Sequence, residues 1–314
     1  MAHDHTRKYQ APLAWALASL LVLSAGCGTN SSSPPPPAPG DTPPPTAPAP
    51  APADPPKVTF FCSFPSAVTD CGFGEQAKAP GRAGVVSSAL VNVVAGLAHM
   101  GSVLGRDGSS SVRLHTEPGD ANVDGSVDNE RNDLLLSQVQ TDCFEGREQW
   151  WAHSVLFPDD YVDPPPSTAS TWNWATVFDF HNTTPGPGQV NFQLNAWPAT
   201  AISPDRPTGL AFQVAYGDFA NPTLKRFPIG PLVRNVWYDF VYHVKWSSSS
   251  DGFITAWVNG ARKMEYSGPT LYEGQGCYLK LANYHTPFGK PSSVIHDRVV
   301  RGTGPAAVSL TPLD

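Results

Sequence analysis

Three residues in the second half of the chain have the types and spacing for acid–base chemistry. Lys280 and Tyr284 are four residues apart in a β-rich segment, so the two-residue alternation of a strand places both on one face. A lysine cation there favours the phenolate of the tyrosine, which can then exchange a proton. His181 ends an apolar run and begins a Pro/Gly-rich loop, and a histidine at a strand end suits a cleft. Histidine and tyrosine are residue types that can accept or donate a proton, so these positions are candidate site residues.

A second candidate site is an acidic loop at 120–128. Asp120, Asn122, Asp124 and Asp128 follow the D-x-N-x-D-G spacing of calcium loops, in which oxygen atoms converge on a hard cation. The twelfth position, where such loops carry a bidentate acid, is Arg131, and the flanking segments have strand character and not helix character. A polar hairpin loop is the alternative. We expect that no cofactor is required and that calcium is the candidate if one is present.

Two other site chemistries lack their signatures. The sequence has no C-x-x-C pair, so neither a zinc ribbon nor a thioredoxin-type site is expected. It has no string near Glu-x-Asp-x-x-Glu, which would place two carboxylates on one strand face for glycoside hydrolysis. The net charge is −7, from 20 Lys and Arg against 27 Asp and Glu, and nothing in the sequence suggests nucleic-acid binding.

The elements that would position these residues are short strands. Runs rich in β-branched and aromatic residues, bounded by Gly, Pro, Asn, Asp and Ser, occupy 58–61, 111–116, 134–140, 149–157, 175–180, 190–196, 210–216, 237–246, 252–258 and 276–281. Two alternating runs at 237–246 and 253–258, joined by a serine-rich turn, predict a hairpin. Helical character is plausible only at 87–98. The pattern predicts an all-β fold of two packed antiparallel sheets.

The first 56 residues predict an export signal and a tether. Arg7 and Lys8 precede an apolar run at 11–23, which ends in LSAGC at 23–27 and resembles a bacterial lipobox with Cys27 as the lipidated residue. Proline-rich sequence follows to position 56 and predicts a disordered, extended spacer. We therefore divide the chain into a signal peptide (1–26), a tether (27–56) and a globular domain (57–314). We expect a lipid anchor to the outer membrane or cell surface as the only membrane contact.

The remaining cysteines agree with export. Cys62, Cys71, Cys143 and Cys277 are an even number in a compartment expected to be oxidising. Three pairings are possible. We expect Cys62 with Cys71 and Cys143 with Cys277, because this arrangement closes one short loop and joins two distant strands.

Four segments, in order along the chain, resemble the concanavalin-like jelly-roll polysaccharide lyases. The hairpin sequence WYDFVYHVKW at 237–246 with DGFITAWVNG at 251–260 is similar to a signature of that group. ERNDL at 130–134, VFDFH at 177–181 and YLKLANY at 278–284 resemble its Arg-x-Glu-Leu, Gln-x-His and Tyr-x-Lys-x-Gly-x-Tyr strands. The nearest groups are heparin-lyase-I-like and glucuronan-lyase-like, with alginate lyases more distant. The resemblance implies a β-jelly roll over 57–314.

The resemblance also implies a reaction and a set of roles. Such lyases remove the proton beside a uronate carboxylate and then break the glycosidic bond by β-elimination. Arg131 would bind the carboxylate, because its planar fork suits that group. His181 would neutralise the carboxylate or act as the base, and Tyr284 would be the acid and also a candidate base, with Lys280 beside it.

One position departs from the family pattern. Asp179 stands where the family has a glutamine, and an ionised carboxylate there would repel the carboxylate of the substrate. Gln76, near the start of the domain, or Gln193, on the next strand, could supply the missing amide. If neither does, the site is degenerate. Asn283 replaces the usual glycine before the tyrosine, which is a milder change.

An acidic polysaccharide would need further contacts beyond these roles. We expect a local basic cleft, with Arg113, Arg131, Arg147, Lys245 and Lys280 as its candidates. Trp172, Trp174 and Trp197 lie beside loops, where their rings could stack on sugars. Substrate binding is assigned to Gln76, Arg113, Gln193, Trp174 and Tyr278. The alternative function is a monomeric, non-catalytic glycan-binding lipoprotein of the same fold, which Asp179 favours.

Overall fold

The computed structural model describes residues 54–64, 71–77, 93–94, 97–98, 100–120, 129–168, 171–184, 189–200 and 207–314. The expected signal peptide and nearly all of the expected tether lie outside these residues, so those two assignments stay predictions. In the described part of the chain, no helix is long and apolar enough to span a membrane.

Strands dominate the described residues. In chain order they are β1 (Val58–Cys62), β2 (Gly74–Ala77), β3 (Val93–Val94), β4 (Leu97–Ala98), β5 (Met100–Leu104), β6 (Ser110–Thr116), β7 (Glu130–Leu136), β8 (Glu148–Leu156), β9 (Ala175–Asn182), β10 (Phe192–Trp197), β11 (Gly209–Tyr216), β12 (Thr223–Gly230), β13 (Trp237–Lys245), β14 (Phe253–Val258), β15 (Ala261–Ser267), β16 (Cys277–His285) and β17 (Ser292–Gly302). Two one-turn helices, α1 (Gln138–Thr141) and α2 (Pro305–Val308), complete them.

The strands form two antiparallel sheets, which confirms the predicted all-β jelly-roll-like sandwich. Sheet A has the order β15-β14-β13-β8-β17-β6-β5, with β1 paired to β17. Sheet B has the order β12-β11-β10-β9-β16-β7-β2. The predicted hairpin is present as β13 and β14, with Phe240 opposite Val258 and Lys245 opposite Phe253.

An aromatic core lies between the two sheets. Phe178 of sheet B and Tyr242 of sheet A have ring centroids 5.1 Å apart, and both side chains are fully buried. Trp151 is also in this core, with its ring 5.7 Å from that of Phe180. The adjacent Trp150 points to the opposite face of sheet A, where it stacks on His243 at 4.1 Å. This is the period-two alternation of a strand, by which only one of two neighbouring tryptophans can fill the core.

Sheet B uses the same alternation to separate a core face from a polar face. On β10, Phe192 and Leu194 belong to the core, whereas Gln193 and Asn195 line a cleft on the other face. All six residues of β10 are nevertheless buried, because the cleft itself shelters the polar face. A strand that is buried on both faces yet polar on one of them is what a solvent-excluding site needs.

Two assignments of secondary structure were wrong. The expected helix at 87–98 is contradicted at Val93–Val94 and Leu97–Ala98, which pair as β3 and β4, as suits β-branched residues. The other residues of that span lie outside the described ones. The strand expected at 134–140 ends at Leu136, because Ser137 and Gln140 form a reciprocal capping box that starts α1.

Both expected disulfides are present. Cys62 is bonded to Cys71, and Cys143 is bonded to Cys277. The second bond joins the loop after α1 to the first residue of β16, and therefore links segments that are 134 residues apart in sequence.

Candidate active site

A cleft of about 400 Å³ crosses the face of sheet B that is turned away from the core. Residues from β7, β9, β10, β11, β12 and β16 line it, together with aromatic residues from the adjoining loops. Its polar lining includes Arg131, Thr176, Asp179, His181, Gln193, Asn195, Gln213, Arg226, Lys280 and Tyr284. Its aromatic walls are Trp172, Trp174 and Trp197.

The ladder register sets the order of these side chains. Lys280 lies opposite Asp179, Asp179 opposite Gln193, Gln193 opposite Gln213, and Gln213 opposite Arg226. Residues directly opposite in a ladder share a face, so this row runs straight across five strands. The row begins and ends on a cation and has one carboxyl group between them.

A second row holds the arginine and the tyrosine. Tyr284 lies opposite Arg131 on one side and Thr176 on the other. The guanidinium carbon of Arg131 is 4.2 Å from the centroid of the Tyr284 ring, which is cation–π distance. The Trp174 ring meets the same tyrosine edge-on at 4.9 Å. The tyrosine ring is therefore held on two sides.

Asp133 fixes the orientation of Arg131. The guanidinium donates from both Nε (2.9 Å) and Nη2 to Oδ2 of Asp133, and both side chains are buried. Lys280 also approaches this carboxylate, with Nζ 4.0 Å from Oδ2. The ion pair with Asp133 therefore holds the arginine in the cleft.

His181 is held in one tautomer. Its Nδ1 is 2.9 Å from the backbone oxygen of Asn182, and because a carbonyl only accepts, Nδ1 donates and Nε2 carries the lone pair. Burial, and then the cation of Lys280, lower the pKa of His181 to about 3. The imidazole is therefore neutral at neutral pH. The tautomer makes Nε2 the ring nitrogen that can accept a proton, while the lowered pKa makes the imidazole a weak base until negative charge binds nearby.

The pKa of Asp179 is raised, whereas that of His181 is lowered. Asp179 is 2% exposed, and burial raises the pKa of this carboxyl to about 7, with Lys280 acting against the shift and Asp133 adding to it. The pKa of Lys280 is lowered, first by its own burial, although Asp179 and Asp133 act against that change. The site thus contains a carboxyl group that is only partly ionised at neutral pH.

The four residues proposed as catalytic from the sequence all line this one cleft. Arg131 comes from β7, His181 from β9, and Lys280 and Tyr284 from β16. Their meeting is not a consequence of sequence proximity, since β7 and β16 are more than 140 residues apart and are joined by the ladder itself. Their catalytic roles stay predictions.

Four of the five residues proposed for substrate binding lie on or beside sheet B. Trp174 and Gln193 line the cleft. Gln193 lies directly beside Asp179, so its amide can take the place of the glutamine that the family has at position 179. Gln76 lies opposite Asp133 in the ladder, at the edge of sheet B. The Tyr278 ring stacks on that of His181 at 5.0 Å, so it supports the histidine from the same face.

The fifth residue, Arg113, does not lie near the cleft, so its assignment to substrate binding is corrected. Arg113 is on β6 of sheet A and donates to Asp160 at 2.5 Å, away from the cleft. Arg147 and Lys245 likewise contact other acids, Asp142 at 3.4 Å and Asp251 at 2.6 Å. Sequence alternation tells which face a residue is on but not which of two sheets carries it, so three of the five expected cleft cations were misplaced.

One basic residue of the cleft was missed. Arg226 lies on β12, a strand that was not predicted, and its Nε donates to Gln213 at 2.9 Å. Its guanidinium is 5.5 Å from the Trp197 ring. The alternation of Phe227 and Ile229, which pack against the core, with Arg226 and Pro228 on the other face was a usable signal, but the charged Lys225-Arg226 pair and the proline obscured the strand.

The calcium candidate is largely outside the described residues. Of its four members only Asp120 is described, and its Oδ2 accepts from the backbone N of Glu117 at 2.8 Å, as in a tight turn. Among the described residues there is no group of three metal-binding side chains. Asn122, Asp124 and Asp128 lie in the part that is not described, so the calcium site stays a prediction.

Comparison with known proteins agrees with the fold. An endo-β-1,4-glucuronan lyase from the fungus Trichoderma reesei is similar in structure at 15% identity, with a TM-score of 0.53 over 67% of this chain and 88% of that chain. The alginate lyase AlyC3 is similar at 13% identity, with a TM-score of 0.51 over 77% of this chain and 96% of that one. At these identities the likeness shows the fold alone. No curated protein sequence matches the chain.

The family is shown by sequence. The model of a family described as polysaccharide lyase matches residues 95–300, about two thirds of the chain. The match spans β7, β9 and β16, the strands that carry the four candidate catalytic residues. The chain belongs to the polysaccharide lyase family, and it is a polysaccharide lyase.

Proposed function

We propose that this lyase cleaves a uronic-acid-containing polysaccharide by β-elimination in the sheet B cleft. The observation that carries the proposal is the meeting of Arg131, His181 and Tyr284 on one face, with Lys280 between them. A cation, a neutral imidazole and a phenol are the three kinds of group that this elimination requires: one for the carboxylate, one to take a proton and one to give a proton.

The first step is to make the sugar proton acidic. The proton on C5 leaves only if negative charge can build up on the adjacent carboxylate, so the site must bind that group with fixed donors and cations. Arg131 is suited to this because Asp133 holds its guanidinium in one orientation. Lys280 is buried beside it and adds a second positive charge, in surroundings where charges interact more strongly than in water.

The second step is proton transfer. Nε2 of His181 takes the C5 proton, because Nδ1 is already committed as a donor to Asn182. The electron pair forms the C4–C5 double bond, and the bond between C4 and the glycosidic oxygen breaks. Tyr284 gives its phenolic proton to the leaving oxygen, and both groups then return to their resting states by exchange with water.

The substrate fits an extended cleft and not a closed pocket. Trp172, Trp174 and Trp197 all line the cleft and carry rings on which sugars can stack. Arg226 lies beyond Gln213 at the end of the row that starts at Lys280, and can meet an acidic group three strands from Asp179. These features support an acidic polymer that lies across the strands.

We also propose that the enzyme is exported and anchored by a lipid on Cys27. The sequence at 1–27 supports this, as does the presence of two disulfides, which persist in oxidising compartments. The proline-rich stretch before the domain would hold the cleft away from the membrane, where a bulky polymer can reach it.

The test is an assay of the purified protein against glucuronan, alginate, heparin and pectate. A lyase makes an unsaturated uronate at each new end, so absorbance at the wavelength of the conjugated double bond rises with time. We expect a rise with at least one of these polymers. Binding to a polymer without any rise supports the glycan-binding alternative, and neither binding nor product contradicts uronate specificity.

A further inference from the structure

A carboxyl group at the centre of a site for an anionic sugar needs an explanation. Asp179 lies on β9 in the cleft. On one side of it along the strand is His181, and on the other side is the row that holds Tyr284 and Arg131. Its side chain is 2% exposed, and within the described part of the chain no hydrogen-bond partner meets its Oδ1. A buried oxygen without a hydrogen-bond partner destabilises the folded protein, and a ligand that supplies the partner would recover that loss.

We propose, on the basis of the proposed function, that Asp179 binds the uronate carboxylate as a neutral carboxylic acid, through a hydrogen bond donated by its own O–H. In this form it is a neutralising catalytic residue and not a repelling one. No bond is made or broken in this step: the proton stays on Asp179 and shifts toward the substrate oxygen as charge accumulates there.

The charges around Asp179 require a proton once the substrate is bound. The titratable and charged side chains that face it are Arg131 and Asp133 from β7, Tyr278, Lys280 and Tyr284 from β16, and His181 from β9, while β10 presents the uncharged Gln193. Lys280 and Arg131 supply two positive charges, and Asp133 supplies one negative charge. An ionised Asp179 balances the empty site, so a substrate carboxylate brings an excess negative charge into a buried place.

The proton taken up when the substrate carboxylate binds is held by Asp179 and not by Asp133. Asp133 accepts from the guanidinium of Arg131 and lies 4.0 Å from Nζ of Lys280, so this carboxylate already has two cationic partners. His181 does not take the proton, because burial and Lys280 keep the pKa of its imidazole low, at about 3. The raised pKa of Asp179, about 7 before any anion is added, agrees with this order, and a bound carboxylate raises it further.

The pH dependence of kcat/KM tests the proposal. In the wild type only the protonated fraction of Asp179 is competent, so kcat/KM falls about tenfold for each pH unit above about 7. Asp179→Asn carries a permanent N–H donor and loses this descending limb. The kcat/KM of Asp179→Asn divided by that of the wild type therefore rises by about 100-fold between pH 6 and pH 9. Asp179→Leu, which has no donor, loses about 10²–10³ in kcat at every pH.

A matched control uses an aspartate buried to the same extent elsewhere. Asp297 is also 2% exposed but lies on β17 of sheet A, where it accepts from the backbone N of Arg106. Asp297→Asn keeps the descending limb of the wild type. If Asp179→Asn keeps it as well, the proposal is wrong. If the wild type makes no unsaturated product from any uronate polymer between pH 5 and pH 9, the proposed function fails instead.

Proton uptake on binding gives a second measurement that does not depend on the folding of an Asp179 variant. Tyr284→Phe binds, without cutting it, a tetramer of whichever uronate polymer is cut in the assay. Calorimetry in phosphate and in Tris buffer then yields the number of protons taken up. We expect uptake near zero at pH 5.5 and about one proton per chain at pH 8. Uptake near zero at pH 8 overturns the proposal.

Discussion

The buried histidines of the sandwich make its stability depend on pH, and His296 allows this to be measured. His296 lies on β17, is fully buried, and donates from Nε2 to the backbone oxygen of Ala282 at 3.3 Å. Burial lowers its pKa from 6.5 to about 4, despite that hydrogen bond. The unfolded chain therefore binds a proton on this residue at a higher pH than the folded chain does, and stability is lost as pH falls from about 6.5 toward 4.

The size of the effect follows from these two pKa values. Between pH 7.5 and pH 5, one histidine with pKa values of 6.5 unfolded and about 4 folded removes about 2 kcal/mol of unfolding free energy. Asp179 contributes in the opposite direction, because its raised pKa lets the folded state bind the extra proton. The comparison of wild type with a variant cancels this contribution.

The assay is urea unfolding of wild type and His296→Gln at pH 7.5 and pH 5, followed by tryptophan fluorescence. We expect the loss of stability on acidification to be about 2 kcal/mol smaller in the variant, whatever the variant costs at pH 7.5. Val294→Ala, at a fully buried residue of the same strand that does not titrate, is the control and keeps the wild-type loss. An equal loss in wild type and His296→Gln would refute the reasoning.

Three further outcomes are expected. Arg131→Ala should raise KM and lower kcat together, in steady-state assays of the unsaturated product, because the arginine binds the carboxylate before and during charge development and its loss leaves Asp133 without its main partner. Replacing Cys143 and Cys277 by alanine should cost about 2–5 kcal/mol in urea unfolding under non-reducing conditions, and an unchanged midpoint would contradict a stabilising role. Cys27→Ala should move the protein from the membrane fraction to the soluble exported fraction, and retention in membranes would contradict the lipid anchor.

The strands that could be read from the sequence are those with an apolar face and a clear alternation. The hairpin of β13 and β14 was predicted nearly to its ends, because Phe240, Tyr242 and Val244 alternate with residues of the other face. By contrast, β12 and β17 were missed. The first contains adjacent Lys225 and Arg226, and the second places His296, Asp297 and Arg298 in its middle, so neither has the composition of a strand.

The placement of site residues could be predicted where both residues lie on one strand. It could not be predicted where it depends on which of the two sheets a strand joins. Lys280 and Tyr284 share a face as their spacing required, and the ladder adds Arg131 beside them. Arg113 has a similar strand context, yet it lies on sheet A and pairs with Asp160. Only the pairing of distant strands, which local sequence does not encode, separates these two cases.

The central claim, elimination by the groups of the sheet B cleft, is tested most directly by removing one oxygen atom. Tyr284→Phe deletes the phenolic hydroxyl and keeps the ring that contacts Arg131 at 4.2 Å and Trp174 at 4.9 Å. Tyr216→Phe, at a partly buried tyrosine that packs on Tyr266 outside the cleft, is the matched control. The account predicts that Tyr284→Phe lowers kcat for unsaturated product by about 10²–10⁴ while binding of the polymer survives, and that Tyr216→Phe behaves as wild type. Turnover by Tyr284→Phe at the wild-type rate would contradict it.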